Sequence, residues 1–226
     1  SVGGIAGGNY LSNLAGEKEF NNLSVSGQIT GEATLGGIVG FARFTNVANS
    51  YVTASLHSTA TTGKVGGFFG HNHEYSKIDN SYSTGALSGG DSLGGLIGGK
   101  HHGPTNLITD SFWDTESSGV SSSHGGSAKI TAELTDPNTY ISAGWDLSAT
   151  TGPWKTEAGK YPILVWQTYP EIIIVPITDA NFQNAVSLWF SDEANATYTY
   201  GHISDWNVSA VTNMSNAFEG RSTFNQ

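Results

Sequence analysis

The chain has 226 residues, a formal net charge of −10 and only 12% charged residues. Its nine Lys and Arg residues are scattered singly, so the sequence excludes nucleic acid as a partner and disfavours binding to an anionic membrane surface. It has thirty glycines and no cysteine. Disulfides, thiolate metal sites and cysteine nucleophiles are therefore excluded, and the composition is typical of an extracellular β protein.

A glycine-rich hexapeptide occurs four times in the first half of the chain. It starts at Val2, Leu35, Val65 and Leu93, and each copy has an aliphatic residue, a Gly pair, two apolar residues and a closing Gly. The starts lie 33, 30 and 28 residues apart, a spacing typical of a repeat array. A shorter echo follows each copy, as Leu23-Ser24-Val25, Asn49-Ser50-Tyr51, Asn80-Ser81-Tyr82 and Asp110-Ser111-Phe112.

These repeats predict an all-β-dominated fold, a right-handed parallel β-solenoid over residues 1–129. A unit of about 30 residues with short apolar stretches between polar turns cannot bury its own apolar face, so it must stack on its neighbours. The glycine pairs are predicted to be structural, at tight corners or close backbone approaches. A phosphate loop would need a Lys and a following helix, which are missing. The paired glycines are Gly3, Gly4, Gly36, Gly37, Gly66, Gly67, Gly94 and Gly95.

Stacking of the hexapeptides predicts two ladders of apolar side chains. One contains Ile5, Ile38, Phe68 and Leu96, and the other contains Ala6, Val39, Phe69 and Ile97. Adjacent residues of a strand point to opposite faces, so we expect only one ladder to fill the interior and a neighbouring segment to cover the other.

Residues 130–166 are predicted to be the end segment of the array. Lys129 to Asp136 could form a short helix with Thr131 as its N-cap, and Pro137 would end it. The aromatic residues that follow are expected to cover the open end of the solenoid, which otherwise exposes unpaired edges. They are Trp145, Trp154, Tyr161 and Trp166.

A Pro-bounded linker, residues 167–176, precedes a region of different composition, residues 177–226. The apolar periodicity at the start of residues 177–226 predicts one helix from Ile177 to Ala194, with Asp179 or Thr178 as its N-cap.

The repeats resemble the GLUG motifs of bacterial surface proteins. The resemblance covers roughly residues 1–166 and includes the tail FWDTESSG, Phe112 to Gly119, and the segments 131–146 and 154–164. It implies a region of a large secreted adhesin, a haemagglutinin-like protein, or the non-catalytic part of a metallopeptidase that cleaves immunoglobulin A.

The closing segment resembles the start of a BspA-like leucine-rich-repeat domain. The matching positions are Trp206-Asn207-Val208-Ser209, Val211, Met214, Phe218 and the lead Phe224-Asn225-Gln226. Members of that family are surface proteins implicated in attachment, so this resemblance also implies a surface protein.

The sequence lacks the common catalytic motifs of hydrolases. It contains no G-x-S-x-G elbow and no HEXXH helix. Asp114 and Glu116 would share one face of a strand and form the best carboxylate pair for sugar chemistry, but any acidic strand brings such residues equally close. We therefore expect no catalysis from this region.

Histidines follow the third and fourth hexapeptides. His73 and His101 lie at the same offset from their glycine pairs, so stacking would bring them about one strand spacing, ~4.8 Å, apart. With Glu74 or His71 they could bind zinc or nickel. The alternative is a polar turn that happens to be rich in histidine. Calcium is a second possibility, with oxygen ligands from Asp79, Asp91, Asp110 and Asp114.

The sequence therefore predicts a non-catalytic structural or adhesive region of a larger bacterial cell-surface or secreted protein. Its partners would be glycans, surface proteins or like protomers, without membrane insertion in this fragment. One alternative is an accessory region of a secreted peptidase or polysaccharide-degrading enzyme. Another is a self-assembling extracellular filament subunit, paired through sheet edges near Ser1. The chain begins and ends inside repeat motifs, which favours an excerpt of a longer protein.

Overall fold

The computed structural model describes residues 1–8, 17–101, 107–148, 150–168 and 174–220. It contains two compact units, Ser1–Gln167 and Thr168–Gln226. The first is a parallel β-solenoid, which confirms the fold class predicted from the repeats.

The strands of the first unit are short. In chain order they are β1 (Val2–Gly3), β2 (Ala6–Gly8), β3 (Lys18–Asn21), β4 (Ser24–Val25), β5 (Gln28–Gly31), β6 (Leu35–Gly36), β7 (Val39–Ala42), β8 (Thr45–Ala48), β9 (Tyr51–Val52), β10 (Ser55–Ser58), β11 (Lys64–Gly66), β12 (Phe69–Asn72), β13 (Lys77–Asp79), β14 (Tyr82–Ser83), β15 (Leu87–Gly89), β16 (Ser92–Gly94), β17 (Ile97–Lys100), β18 (Leu107–Thr109), β19 (Phe112–Asp114), β20 (Ser127–Lys129), β21 (Trp154–Lys155) and β22 (Ile163–Leu164).

Five parallel sheets form the walls of the solenoid, and neighbouring strands within a sheet come from successive repeats. Sheet 1 is β1-β6-β11-β16, sheet 2 is β2-β7-β12-β17, and sheet 3 is β3-β8-β13-β18. Sheet 4 is β4-β9-β14-β19-β20, and sheet 5 is β5-β10-β15. Strands β21 and β22 form a separate antiparallel pair. Each coil therefore runs through the five sheets in order and then enters the next coil.

Each hexapeptide forms the corner between sheet 1 and sheet 2, and its two glycines are needed for different reasons. A Cβ on Gly36 would lie 2.0 Å from the Val39 carbonyl oxygen within the same corner. A Cβ on Gly37 would lie 2.1 Å from the carbonyl oxygen of Gly67 in the next coil. Neither glycine has a positive φ. Both positions therefore require glycine for steric reasons, because a backbone oxygen occupies the space where a Cβ would lie.

The expectation that only one apolar ladder fills the interior is wrong. Ile38 and Val39 are both fully buried, and so are Phe68 and Phe69 in the next coil. All four belong to one hydrophobic cluster inside the solenoid. The reason is local: Ile38 lies in the bend between β6 and β7, where the strand alternation is interrupted. The copy at the first repeat is less buried, since Ile5 is 47% exposed.

The shorter echo forms the corner before sheet 4. Its first copy is shifted by one residue from the predicted strand register. Strand pairing places Ser24, and not Val25, opposite Tyr51. The corner residues Asn22, Asn49, Asn80 and Asp110 all have φ between 42° and 57°. Asn and Asp adopt this left-handed conformation more readily than other residues with a Cβ.

A buried serine ladder follows that corner. The Ser50 amide donates to Ser81 Oγ at 3.1 Å, and the Ser81 amide donates to Ser111 Oγ at 3.2 Å. Each hydroxyl in turn donates to a carbonyl two residues earlier, as Ser81 Oγ does to Asp79 O at 2.7 Å. The serine hydroxyl of one coil thus satisfies a backbone amide of the preceding coil at a place where the strand pairing is interrupted.

The aromatic segment covers a flank of the solenoid and not its open end, so that prediction is wrong. Tyr82 Oη donates to Pro162 O at 2.6 Å, and Trp145 Nε1 donates to Asp110 O at 2.8 Å. The cluster packs on the outward residues of sheet 4, which offer a stacked row of aromatic rings. Trp166 does not join it and remains 62% exposed.

A short stretch after β19 closes the end of the core instead. The Gly95 amide donates to Ser122 O at 3.0 Å, and the His124 amide donates to Ile97 O at 3.2 Å. These bonds pair backbone groups at the corner between β16 and β17 and at the start of β17. Val120 is buried below them in the solenoid cluster.

The short helices differ from the predicted boundaries. They are α1 (Thr115–Ser118), α2 (Thr131–Leu134) and α3 (Pro137–Ser142). Ile130, and not Thr131, is the N-cap of α2, and its amide donates to Glu133 Oε2 at 3.0 Å. Pro137 starts a helix because its fixed φ suits the first position.

The described part of the second unit contains two α-helices where one was predicted, α4 (Phe182–Ser191) and α5 (Glu193–Tyr200), and a 3-10 helix at Ile203–Asp205. The extended backbone of Asp192, with φ −155°, separates them. Asn181 is the N-cap of α4. Asp179, one predicted cap, accepts hydrogen bonds from Thr212 instead. Residues 169–173 of the predicted linker and the lead Phe224-Asn225-Gln226 lie outside the described residues.

Candidate functional site

The predicted histidine pair lies where β12 and β17 end, side by side in sheet 2. The His73 amide donates to Ala42 O at 2.8 Å, and the His101 amide donates to Asn72 O at 2.9 Å. The parallel ladder therefore sets His73 opposite His101. Their rings are stacked, with centroids 4.5 Å apart and planes inclined by 22°. The equal sequence offset from the glycine pairs corresponds to this contact.

Glu74 lies beside the stacked rings and also faces a cation. Arg43 Nη2 donates to Glu74 Oε2 at 2.9 Å, and His73 Nδ1 lies 3.8 Å from the same oxygen. The hydrogen bond from Arg43 holds the pKa of the Glu74 carboxyl below its usual range. Glu74 is therefore an anion at neutral pH.

Three of the four predicted ligands converge. One potential ligand atom from each of His73, Glu74 and His101 lies within 4.8 Å of the others. His71 is placed differently, because it packs edge-on against Phe41 and its ring centroid is 6.2 Å from that of His73. Burial, together with the charge of Lys64, lowers the pKa of His71 to about 4. His71 is therefore neutral at physiological pH.

The aspartates considered for calcium do not converge with other ligand residues in the part of the chain that is described. Asp79 Oδ1 accepts a hydrogen bond from Thr109 Oγ1 at 2.5 Å in the next coil. Asp91 lies exposed at the turn before β16, and its amide donates to Gly63 O at 2.9 Å. Asp110 occupies a left-handed corner.

Asp114 and Glu116, the candidate carboxylate pair, do not share a strand, because Glu116 lies in α1, and both make structural hydrogen bonds. Asp114 is fully buried and accepts hydrogen bonds from the Glu116 amide, the Thr131 hydroxyl and the Tyr161 hydroxyl. Burial alone would raise the pKa of Asp114, but these hydrogen bonds lower it overall. Burial and the bond to Asp114 raise the pKa of Tyr161 to about 12. Glu116 Oε2 accepts from the Thr131 amide at 2.8 Å.

Sequence reasoning missed two surface features. An open recess of about 780 Å³ lies beside the free edge of β20 and helices α2 and α3. A smaller recess of about 200 Å³ lies on the outer face of sheet 5 and is lined mainly by small polar side chains. The sequence did contain a signal for the smaller recess. In β5 and β10, exposed Ser, Thr and Gln residues alternate with less exposed ones.

No protein-family model matches this chain, and no solved structure matches it. The chain is 30% identical over 173 residues to a protein of Evansella cellulosilytica provisionally named a Gly-rich membrane protein. The alignment covers 72% of this chain and 19% of that protein. This chain thus spans about a fifth of the relative's length. Among the described residues, none of the helices is both long and apolar enough to span a bilayer.

Proposed function

We propose that this chain is a non-catalytic structural region of a larger bacterial cell-surface or secreted protein. Its solenoid serves as a stiff spacer and presents its outer faces for attachment. The observation that carries the proposal is the strand register: parallel strands of successive repeats bond in five sheets, and equivalent hexapeptide residues pair, as Leu35 with Val65 and Val39 with Phe69. Bending such a stack strains bonds on one side of every coil, so it resists bending.

The use of reactive residue types inside the fold supports the non-catalytic part of the proposal. Ser50, Ser81 and Ser111 are buried, and their hydroxyls join adjacent coils. Asp114 anchors the aromatic segment. A nucleophile or a general acid must reach a substrate, and these groups are buried.

The similarity to a much longer Gly-rich membrane protein supports the larger context. A solenoid that is one part of a long chain at a membrane or cell surface can hold other parts away from that surface. In this chain, eight of the thirty glycines are the pairs at the hexapeptide corners, where a Cβ would clash with neighbouring atoms.

The outer face of sheet 5 is the attachment surface that we favour, with glycans as its ligands. Its strands expose Gln28, Thr30, Ser55, His57 and Ser88 around the smaller recess. His57 Nδ1 and Ser88 Oγ are 2.9 Å apart, so neighbouring coils align their polar groups. A row of hydrogen-bond donors and acceptors suits the hydroxyl groups of a sugar chain.

A glycan array probed with the labelled chain tests this proposal, with matrix proteins screened in parallel. We expect saturable glycan binding that falls at least about tenfold in the double variant Gln28→Ala, Ser88→Ala. The matched control is Asp91→Ala, an exposed change outside that recess. Binding to proteins alone would reject the glycan assignment.

The bound ligands are then incubated with the protein and analysed by mass spectrometry. We expect them to be recovered intact. Turnover that depends on this chain would overturn the non-catalytic assignment and favour an enzyme.

A further inference from the structure

We propose that His73, Glu74 and His101 bind a divalent transition-metal ion of the zinc type, which links the third coil to the fourth. This site is independent of the attachment function. His73 and Glu74 follow β12, and His101 follows β17, so the ligands come from two successive repeats. An ion held by all three would add a side-chain link between these coils at the ends of β12 and β17, beside the backbone bond and the stacked rings there.

The donor set suits such an ion. Zinc binds imidazole nitrogen and carboxylate oxygen at about 2.0–2.2 Å, which places tetrahedral ligand atoms about 3.3 Å apart. The donor atoms of this group already lie within 4.8 Å of one another. Rotation of partly exposed side chains can supply the remaining approach, and His101 is the most exposed of the three.

An unpaired nitrogen points to a ligand at this place. His73 Nδ1 is buried and has no hydrogen-bond partner among the described residues. A buried polar atom without a partner is costly. The nearest carboxylate oxygen, Glu74 Oε2, is 3.8 Å away, too far for a hydrogen bond. An ion between these two atoms and His101 would satisfy the nitrogen.

Arg43 sets the strength of the site. Its guanidinium bonds to Glu74 Oε2 through both Nη2 and Nε, at 2.9 Å and 3.3 Å. This contact fixes the position of the carboxylate, as partners of metal ligands commonly do. It also brings a positive charge near the ion. We therefore expect a dissociation constant in the micromolar range, roughly 1–100 µM, weaker than that of a closed structural zinc site.

The experiment uses the purified chain without a histidine tag. Co²⁺ is titrated while visible absorption is recorded, and Zn²⁺ binding is measured by calorimetry. We expect one ion per chain, a Co²⁺ absorption band that Zn²⁺ abolishes, and a higher melting temperature with Zn²⁺. His101→Gln and Glu74→Gln should each weaken binding at least about tenfold, because each removes one ligand.

Two control variants distinguish this site from nonspecific metal binding by other histidines. His57→Gln, in sheet 5, and His71→Gln, outside the converging group, should keep the wild-type affinity. Affinity weaker than about 1 mM, or equal losses in the ligand and control variants, would overturn the proposal. Circular dichroism confirms folding of each variant. The side chain of His101 is exposed, so His101→Gln tests the site without removing a buried contact.

Discussion

Phe112 and Trp113 are neighbours in β19, but they belong to two different hydrophobic cores. Phe112 packs against Tyr140 and Trp145, with ring centroids 5.8 Å and 6.0 Å away. Trp113 lies in the solenoid core, and its Nε1 donates to Val120 O at 3.2 Å. Strand alternation sends the two rings to opposite faces of sheet 4. This sheet is therefore a wall shared by the solenoid and the aromatic segment.

Replacing each of these residues by Ala should loosen a different part of the first unit. Phe112→Ala should increase amide hydrogen exchange mainly in residues 137–164, because it removes a ring from the hydrophobic cluster between sheet 4 and the aromatic segment. Trp113→Ala should increase exchange in β16 to β19 and lower the unfolding free energy by about 3–5 kcal/mol, because it leaves a core cavity. Hydrogen exchange with mass spectrometry measures both. Identical exchange patterns in the two variants would contradict the two-core arrangement.

Gly37→Ala should destabilise the solenoid by more than about 3 kcal/mol. Its Cβ would lie 2.1 Å from the Gly67 carbonyl oxygen, and neither backbone can move without breaking the coil contact. Gly31→Ala is the matched control, because the atoms nearest to its Cβ would be side-chain carbons of Leu35 and Val2, the nearest at 3.1 Å. Urea unfolding compares the two variants. Equal stability would refute the close-approach explanation.

Ser81→Ala should cost about 1–3 kcal/mol of unfolding free energy. The change leaves the buried Ser50 amide without the Ser81 oxygen, and it removes the bond to Asp79 O. Ser26→Ala, an exposed serine, should change stability by less than about 0.5 kcal/mol. Thermal and urea unfolding measure the difference, and a loss no larger than that of Ser26→Ala would argue against the ladder.

Asp114 should make stability depend on pH at the acidic end. Its pKa is below the unfolded value, so the unfolded state binds the proton more tightly, and the stabilisation is full above the unfolded pKa, near 4. It is lost as pH falls through the lower, folded pKa. The stability difference between wild type and Asp114→Asn should therefore be largest near pH 7 and shrink below about pH 4. Urea titrations at several pH values check this, with Asp91→Asn as an exposed control. A constant difference would contradict it.

Asp179→Ala should loosen the last described part of the second unit. Its carboxylate accepts from the Thr212 amide at 2.6 Å and from the Thr212 hydroxyl at 2.7 Å. Without these bonds, amide exchange in residues 208–217 should rise while exchange in α4 stays unchanged. Glu219→Ala, an exposed acid nearby in sequence, should leave both regions unchanged. Faster exchange in α4 alone would reject this role.

Much of the fold could be predicted from the sequence, because stacked repeats bring equivalent residues next to each other. The spacing of the hexapeptides was enough to predict parallel stacking, and the equal offsets of His73 and His101 were enough to place them together. In a parallel ladder, position along the repeat fixes which residues meet in the next coil. The glycine pairs could likewise be assigned a structural role, because a missing Cβ allows backbone to approach backbone.

Other features depended on contacts that no local pattern encodes. The bend at Ile38 puts both apolar ladders inside, although strand alternation predicted one. The aromatic segment lies on the flank because sheet 4 presents Tyr82 and Phe112 outward, and their partners are distant in sequence. Arg43 reaches Glu74 from the preceding coil, 31 residues away. The sequence by itself determined the repeat and its register. Only the tertiary structure decided which faces are covered and which charges meet, because those contacts join residues far apart in the chain.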